Sequence, residues 1–315
     1  MTTYDHALYG SGGRWRGLVA ILALVAGFAL ISVNFGLAAI AFDLATGAAT
    51  FDDLASGGLA VSPALMLMNN LSLAALVPLA ILLQALFFRV PLPSMASVAN
   101  AFRWRWFGRL ALVVVPVWAV YVGLSFVFEP AGEVRIDGTV VALLVIVLLT
   151  TPLQSAGEEF GMRGLVQRSV GSWFRRPIVA FVVSTAVSGT LFTLAHFAAD
   201  PWLIAFYFVF AASASLAARG TGGLEAPVLV HAVNNLLVFI PTVLFGQLDA
   251  SFDRSEGAGD PSALIGMALC IAIALFSTWW ARRRKLQTTV EIPLRMSRPP
   301  APVAAPVPQP YVPAR

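Results

Sequence analysis

A few polar side chains lie in stretches of this sequence that are otherwise apolar, and their spacing groups them. His231 and Asn235 stand four residues apart, as do Glu159 and Arg163, so each pair shares a helical face. Glu158 is turned about 100° from Glu159 on a helix, so the two carboxylates need different partners. Arg163 neutralises Glu159 within the helix, which leaves Glu158 to face His196 and His231. The third histidine, His6, lies in the polar N-terminus. An ionisable group in hydrocarbon costs about 2.5 to 3.5 kcal/mol at a helix centre, so such groups are candidates for function. A carboxylate, two imidazoles and a carboxamide are the parts needed for water-mediated amide hydrolysis. In one scheme Glu158, hydrogen-bonded to His196, is the general base on a water, and His231 and Asn235 donate to the oxyanion. In a second, Glu158, His196 and His231 form a two-His, one-carboxylate set for a divalent metal such as zinc, with an open position for water. The sequence leaves both schemes open. It lacks H-E-x-x-H, which excludes a standard zincin helix.

The elements that must position these groups are membrane spans. The chain of 315 residues is 58% hydrophobic and 11% charged, against about a quarter charged in a soluble domain. Lipid must be its solvent. A bilayer-spanning helix needs about 20 apolar residues, and eight runs qualify: 17–42, 61–88, 110–128, 139–157, 178–198, 201–217, 224–246 and 262–281. None alternates with the two-residue period of a barrel strand, so the fold class is all-α, a polytopic transmembrane bundle of about eight helices. The first run is too long for a signal peptide core. The single cysteine, Cys270, excludes an intrachain disulfide and reads as a small buried hydrophobe.

Charge sets the orientation. Arginines precede the first span and fill the loops after the second, fourth and sixth spans, and Arg282, Arg283, Arg284 and Lys285 follow the eighth. The loops between carry Asp43, Asp52 and Asp53, then Glu129, Glu133 and Asp137, then Asp200, then Asp249, Asp253, Glu256 and Asp260. This alternation predicts both termini in the cytosol. It also explains the net charge of +4 without nucleic acid, which is not expected as a partner. The chain divides into a cytosolic N-terminus (1–16), N-terminal spans with an amphipathic interfacial segment near 91–109 (17–138), a core carrying the polar residues (139–246), an external loop and last span (247–285), and a disordered Pro-rich cytosolic tail (286–315). Glu225 is expected to pair with Arg219. Asn234 reads as structural, and the aromatic run Phe206, Tyr207, Phe208 and Phe210 as lipid-facing or packing surface, with the lining of a substrate groove as the alternative.

The order of three motifs resembles one family. Glu158-Glu159 with Arg163, then Phe192 with His196, then His231 with Asn235, each in a separate apolar segment, are similar to the motifs of the CAAX proteases and bacteriocin-processing enzymes, the type II CAAX prenyl endopeptidases. The lead-in Arg219-Gly220-Thr221-Gly222-Gly223-Leu224-Glu225-Ala226-Pro227 resembles the family's as well, and the similarity covers roughly 139–245. It implies an intramembrane endopeptidase acting on a membrane-associated peptide or protein, in which Glu158 and His196 activate water and His231 and Asn235 stabilise the oxyanion. Glu159, Arg163 and Phe192 would support them. The family includes members described as glutamate-type and as metalloproteases, so the resemblance leaves the metal open. It points to a multi-pass protein of a bacterial cytoplasmic membrane. The rivals are a non-catalytic scaffold or bacteriocin-immunity protein of the same family and a small-solute transporter, whose inverted repeats are not visible.

Hydropathy alone gives depths that do not agree. Glu158 falls at the inner end of span four, His196 about 27 Å from the inner start of span five, and His231 about 10 Å deep, at ~1.5 Å per residue. For the three to meet, Glu158 must lie further inside than the apolar run suggests, with part of 164–177 in the membrane or folded back. Pro152 and Gly161 are the places where the helix can yield.

Overall fold

The structure is a computed structural model that describes residues 1–128 and 133–294. Glu129 and the segment 295–315, most of the expected disordered tail, lie outside the described residues. Among these residues eight helices are long and apolar enough to cross a bilayer: α1 (Arg14–Thr46), α2 (Pro63–Phe88), α3 (Trp104–Leu124), α4 (Gly138–Gly171), α5 (Pro177–Ala195), α6 (Pro201–Thr221), α7 (Glu225–Leu244) and α8 (Ala263–Arg283). They coincide with the eight apolar runs. The termini of several follow from local chemistry. The Asp137 side chain accepts from the Val140 N–H at the start of α4, and Asp200 accepts from Trp202 and Leu203 at the start of α6, where Pro201 is the first residue.

Helices in lipid gain little from apolar burial and associate through close packing and internal hydrogen bonds. Both devices are present. Gly157 of α4 lies against the backbone of α2 at Leu73 and Ala74. Asn70 of α2 donates to the hydroxyls of Thr150 and Thr151 at 2.8 and 3.2 Å. Small residues line the approach of α6 to α8, with Ala211, Ala217, Ala274 and Ala281 in one buried cluster. α4 is thereby clasped between α2 and α7.

α4 is longer than its apolar run. It is α-helical to Glu159, a π-helix over Phe160–Gln167, and α-helical again over Arg168–Gly171. The wide turn opens beside Gly161, where the sequence was expected to yield. The Ser188 hydroxyl of α5 donates to the Met162 carbonyl at 3.0 Å within this segment. Glu158 therefore sits 20 residues into a 34-residue span and not at its end. Residues 164–171 are part of the helix, which removes the conflict in depth.

Two expectations are corrected at the end of the bundle that carries Thr2 and Thr289. In the polar N-terminus, Thr2 and Tyr4 to Leu8 are buried. Its strand β1 (Thr2–Thr3) pairs antiparallel with β2 (Thr289–Val290), so the first residues after 286 are folded and not disordered. This pairing holds both ends on one side of the bundle, as an even number of spans requires. Within the segment near 91–109, a short 3-10 turn over Leu92–Met95 precedes the start of α3. Residues 104–109 open α3, and Val98 and Ala96 exchange backbone hydrogen bonds with Gly222 and Leu224 at 2.8 and 2.9 Å. Finally, Glu225 pairs with Arg103 at 2.7 Å, while Arg219 pairs with buried Asp5 at 2.7 Å. The partner expected for Arg219 is thus taken by another arginine. Burial drives the Asp5 carboxyl above the ordinary range, against the opposing pull of Arg219.

Candidate active site

The polar groups of α4, α5 and α7 converge. His231 Nδ1 lies 2.8 Å from Glu159 Oε1, and its Nε2 lies 3.8 Å from Glu158 Oε2. Arg163 reaches the same Glu159 oxygen at 3.2 Å, and both members of that ion pair are fully buried. An ionised carboxylate only accepts, so the His231 Nδ1 carries the proton and Nε2 is directed towards Glu158. Glu159 is therefore shared: it neutralises Arg163, as the spacing predicts, and it also orients His231.

His196 ends α5, and its Nδ1 lies 2.8 Å from the Phe192 carbonyl. That carbonyl fixes the Nδ1–H tautomer and leaves Nε2 as the free base. The ring is clamped between Phe192, at 4.5 Å between centroids, and Tyr207 of α6, stacked at 4.0 Å. Phe192 is itself buried beneath the Arg163 guanidinium, 4.5 Å above its ring, and meets His231 edge-on at 5.9 Å. Phe210 packs edge-on against His231 from α6 at 5.0 Å. Tyr207 and Phe210 are thus part of the site's wall, not lipid-facing surface. Aromatic residues in a span carry no mark in sequence that separates these two roles.

The hydrogen bond expected between Glu158 and His196 is replaced by one from Gln154, one turn earlier on α4, to Glu158. Gln154 also accepts from Asn235 Nδ2 at 3.1 Å, and Ser155 receives the same group at 3.4 Å. Gln154 went unnoticed in the sequence, although it precedes Glu158 by four residues and so shares its face. Asn234, read as structural, donates to the Asn235 carboxamide oxygen at 3.0 Å.

Both histidines have Nδ1 held by an acceptor, the arrangement a metal-ligating imidazole also shows. Among the described residues, however, no three His, Cys, Asp or Glu side chains are placed to share one ion. The set Glu158, His196 and His231 does not fit a metal in this arrangement. A groove of about 550 Å³ between α5 and α6 is lined by Thr190, Thr193, Leu194, Ile204, Ala205 and Phe208. None of the converging residues lines it.

Residues 138–237 match the family model described as Type II CAAX prenyl endopeptidase Rce1-like. This stretch is similar to an Rce1-like domain. It runs from the start of α4 to the middle of α7 and holds Glu158, Glu159, Arg163, Phe192, His196, His231 and Asn235 together. A relative over a greater length is "Uncharacterized protein YyaK" of Bacillus subtilis (strain 168), 22% identical over 300 residues, which are 90% of this chain and 98% of the relative. Its likeness extends beyond the Rce1-like domain into the N-terminal spans. No solved structure matches the chain.

Proposed function

We propose that this protein is an endopeptidase that hydrolyses a peptide bond of a membrane-associated peptide or protein within the bilayer. The observation that carries the reading is the pairing of His231 with two carboxylates inside the membrane, Nδ1 at 2.8 Å from Glu159 and Nε2 at 3.8 Å from Glu158. A buried imidazole fixed on one side and open on the other is what acid-base or oxyanion chemistry needs. The match of residues 138–237 to an endopeptidase family supports the same reading.

In this mechanism Glu158, with the His196 Nε2 nearby as a second acceptor, takes a proton from water as its oxygen attacks the scissile carbonyl carbon. As an imidazolium, His231 donates from Nε2 to the oxyanion while its Nδ1–H stays on Glu159. Asn235 adds a second donor by exchanging its bond to Gln154 or Ser155. Protonated Glu158 then passes its proton to the amide nitrogen as the C–N bond breaks. The products are a carboxylic acid and an amine, the acid's proton then passing to the amine or to water, and Glu158 ends as it began. The location we assign is a bacterial cytoplasmic membrane.

The test compares cleaved membrane-protein termini by proteomics in cells carrying the wild type, Glu158→Gln or His196→Ala. The wild type should generate termini that both variants lose, a fall in turnover on the order of 10²- to 10⁴-fold for a missing general base. Equal cleavage in all three cells refutes the mechanism. A phenotype kept by Glu158→Gln without cleavage marks a scaffold instead. Purified protein should retain its rate within about twofold after dialysis against a chelator; a loss restored by zinc would put the metal scheme in its place.

A further inference from the structure

The loop from 245 to 262 holds Asp249, Asp253, Glu256 and Asp260, and Arg254 is its single cation. Like Arg135 in the loop before α4, Arg254 is a lone arginine among acids on the side that the charge pattern makes external. Its position is fixed by contacts on both sides. The Ala199 N–H donates to the Arg254 carbonyl at 2.8 Å, and the Gly257 N–H donates to Asp200 Oδ2 at 3.0 Å, which ties the loop to the turn joining α5 and α6. The side chain is half-buried, with its guanidinium 5.7 Å above the ring of Tyr207. That ring is also stacked on His196. One guanidinium nitrogen donates to the Ser251 and Asp253 carbonyls, both at 2.8 Å. The neighbouring Asp253 carboxylate accepts instead from the Ser255 N–H at 2.9 Å. None of the ion pairs among the described residues uses Arg254.

A guanidinium held by backbone carbonyls and by Tyr207, with the Asp253 carboxylate near but in no close ion pair with it, keeps donors for a further carboxylate. We propose that Arg254 is the specificity residue of this site and takes up a carboxylate carried by the substrate close to the bond that is cut. Its source is either the substrate's C-terminus or an acidic side chain. This inference rests on the proteolytic reading and names what that site selects.

The experiment uses the full-length protein in liposomes and lipid-anchored synthetic peptides, each made with a free or amidated C-terminus and with Asp or Asn beside the cleaved bond. The wild type should favour one carboxylate form by roughly 10- to 100-fold, the worth of one charge-assisted hydrogen bond. The favoured pair shows which carboxylate is read. Arg254→Gln should abolish this preference through KM and leave the neutral peptides cut at the wild-type rate, and Arg254→Lys should keep part of it. A merely structural arginine predicts equal losses on every peptide, which overturns the proposal, as does a wild type without preference. Binding of the same peptides to Glu158→Gln, with and without Arg254→Gln, separates the two readings. Carboxylate-selective binding that depends on Arg254, with no cleavage by the wild type, upholds the specificity residue and removes the protease. Non-selective binding removes the specificity residue alone.

Discussion

Glu159 has two dependants, and substituting it tests which matters for which property. It accepts from His231 and pairs with fully buried Arg163. Glu159→Gln leaves Arg163 charged and unpaired in the bundle, a cost of roughly 3–5 kcal/mol, and removes the acceptor that sets the His231 tautomer. We expect a large fall in the unfolding temperature and a loss of activity on the order of 10²-fold or more. The double variant Glu159→Gln, Arg163→Met should regain much of the stability and none of the activity. Thermal unfolding in detergent and peptide turnover read the two effects separately, and recovery of both would show that Glu159 serves only Arg163. At this scale the sequence was informative where geometry is local. The i,i+4 spacing gave the Glu159–Arg163 pair, and the intramembrane rarity of histidine marked His196 and His231. It was silent where a partner arrives from elsewhere in the chain. Gln154 is an ordinary polar residue until Asn235 meets it, Tyr207 is one aromatic among four, and Arg254 is hidden in an acidic loop.

The elements were legible as lengths of apolar sequence and illegible in how deep they run. Hydropathy ends α4 near Glu158 because Glu159, Arg163, Gln167 and Arg168 follow. All four are buried by other elements, Arg168 for instance by Tyr4, whose ring lies 4.7 Å from its guanidinium, and by a bond to Gln84. The crossing of α2 and α4 depends on Gly157, because a Cβ there would meet the Leu73 carbonyl directly. Gly157→Ala should cost roughly 1–3 kcal/mol by overpacking and lower turnover by displacing the adjacent Glu158. An unchanged unfolding temperature would refute this crossing. The turn between α5 and α6 has its own signature. Burial tends to raise the Asp200 carboxyl, but the N–H groups of Leu203, Gly257, Trp202 and Gly259 outweigh it and hold the group below the ordinary range. A depressed carboxyl stabilises the fold above its unfolded value of about 3.9 and loses that contribution as pH falls through the lower folded value. Stability of the wild type should therefore decline on acidification below about pH 4, and Asp200→Asn should flatten that decline. An identical acid limb in both proteins contradicts the assignment.

For the whole molecule, the union of the two chain ends is open to a direct test. Thr3 and Thr289 are partners in the β1–β2 pair, and Cys270, the one native cysteine, is buried. The double variant Thr3→Cys, Thr289→Cys should form a disulfide under mild oxidant, detected as a mobility shift reversed by reductant. Absence of the cross-link refutes the pairing. Removing residues 2–10 should lower the unfolding temperature, because it strips Arg219 of Asp5 and uncovers Arg168. Charge alternation foretold that both ends share a side, but not that they touch, since Thr2 to Leu8 has no feature that separates a seated segment from a free tail.

A π turn takes up one more residue than the α turn it replaces. The stretch of α4 after Gln167 is therefore rotated by about 100° from where a uniform helix would carry it. The acids that face His231 and the arginine beneath Tyr4 are mounted on opposite sides of this extra residue. If Phe160–Gln167 closed into α turns with every residue kept, one of the two groups would swing out of register, whereas deleting one residue there would let the helix close with both in place. The chemistry and the seating of the amino terminus are geared together through a single residue's worth of slack.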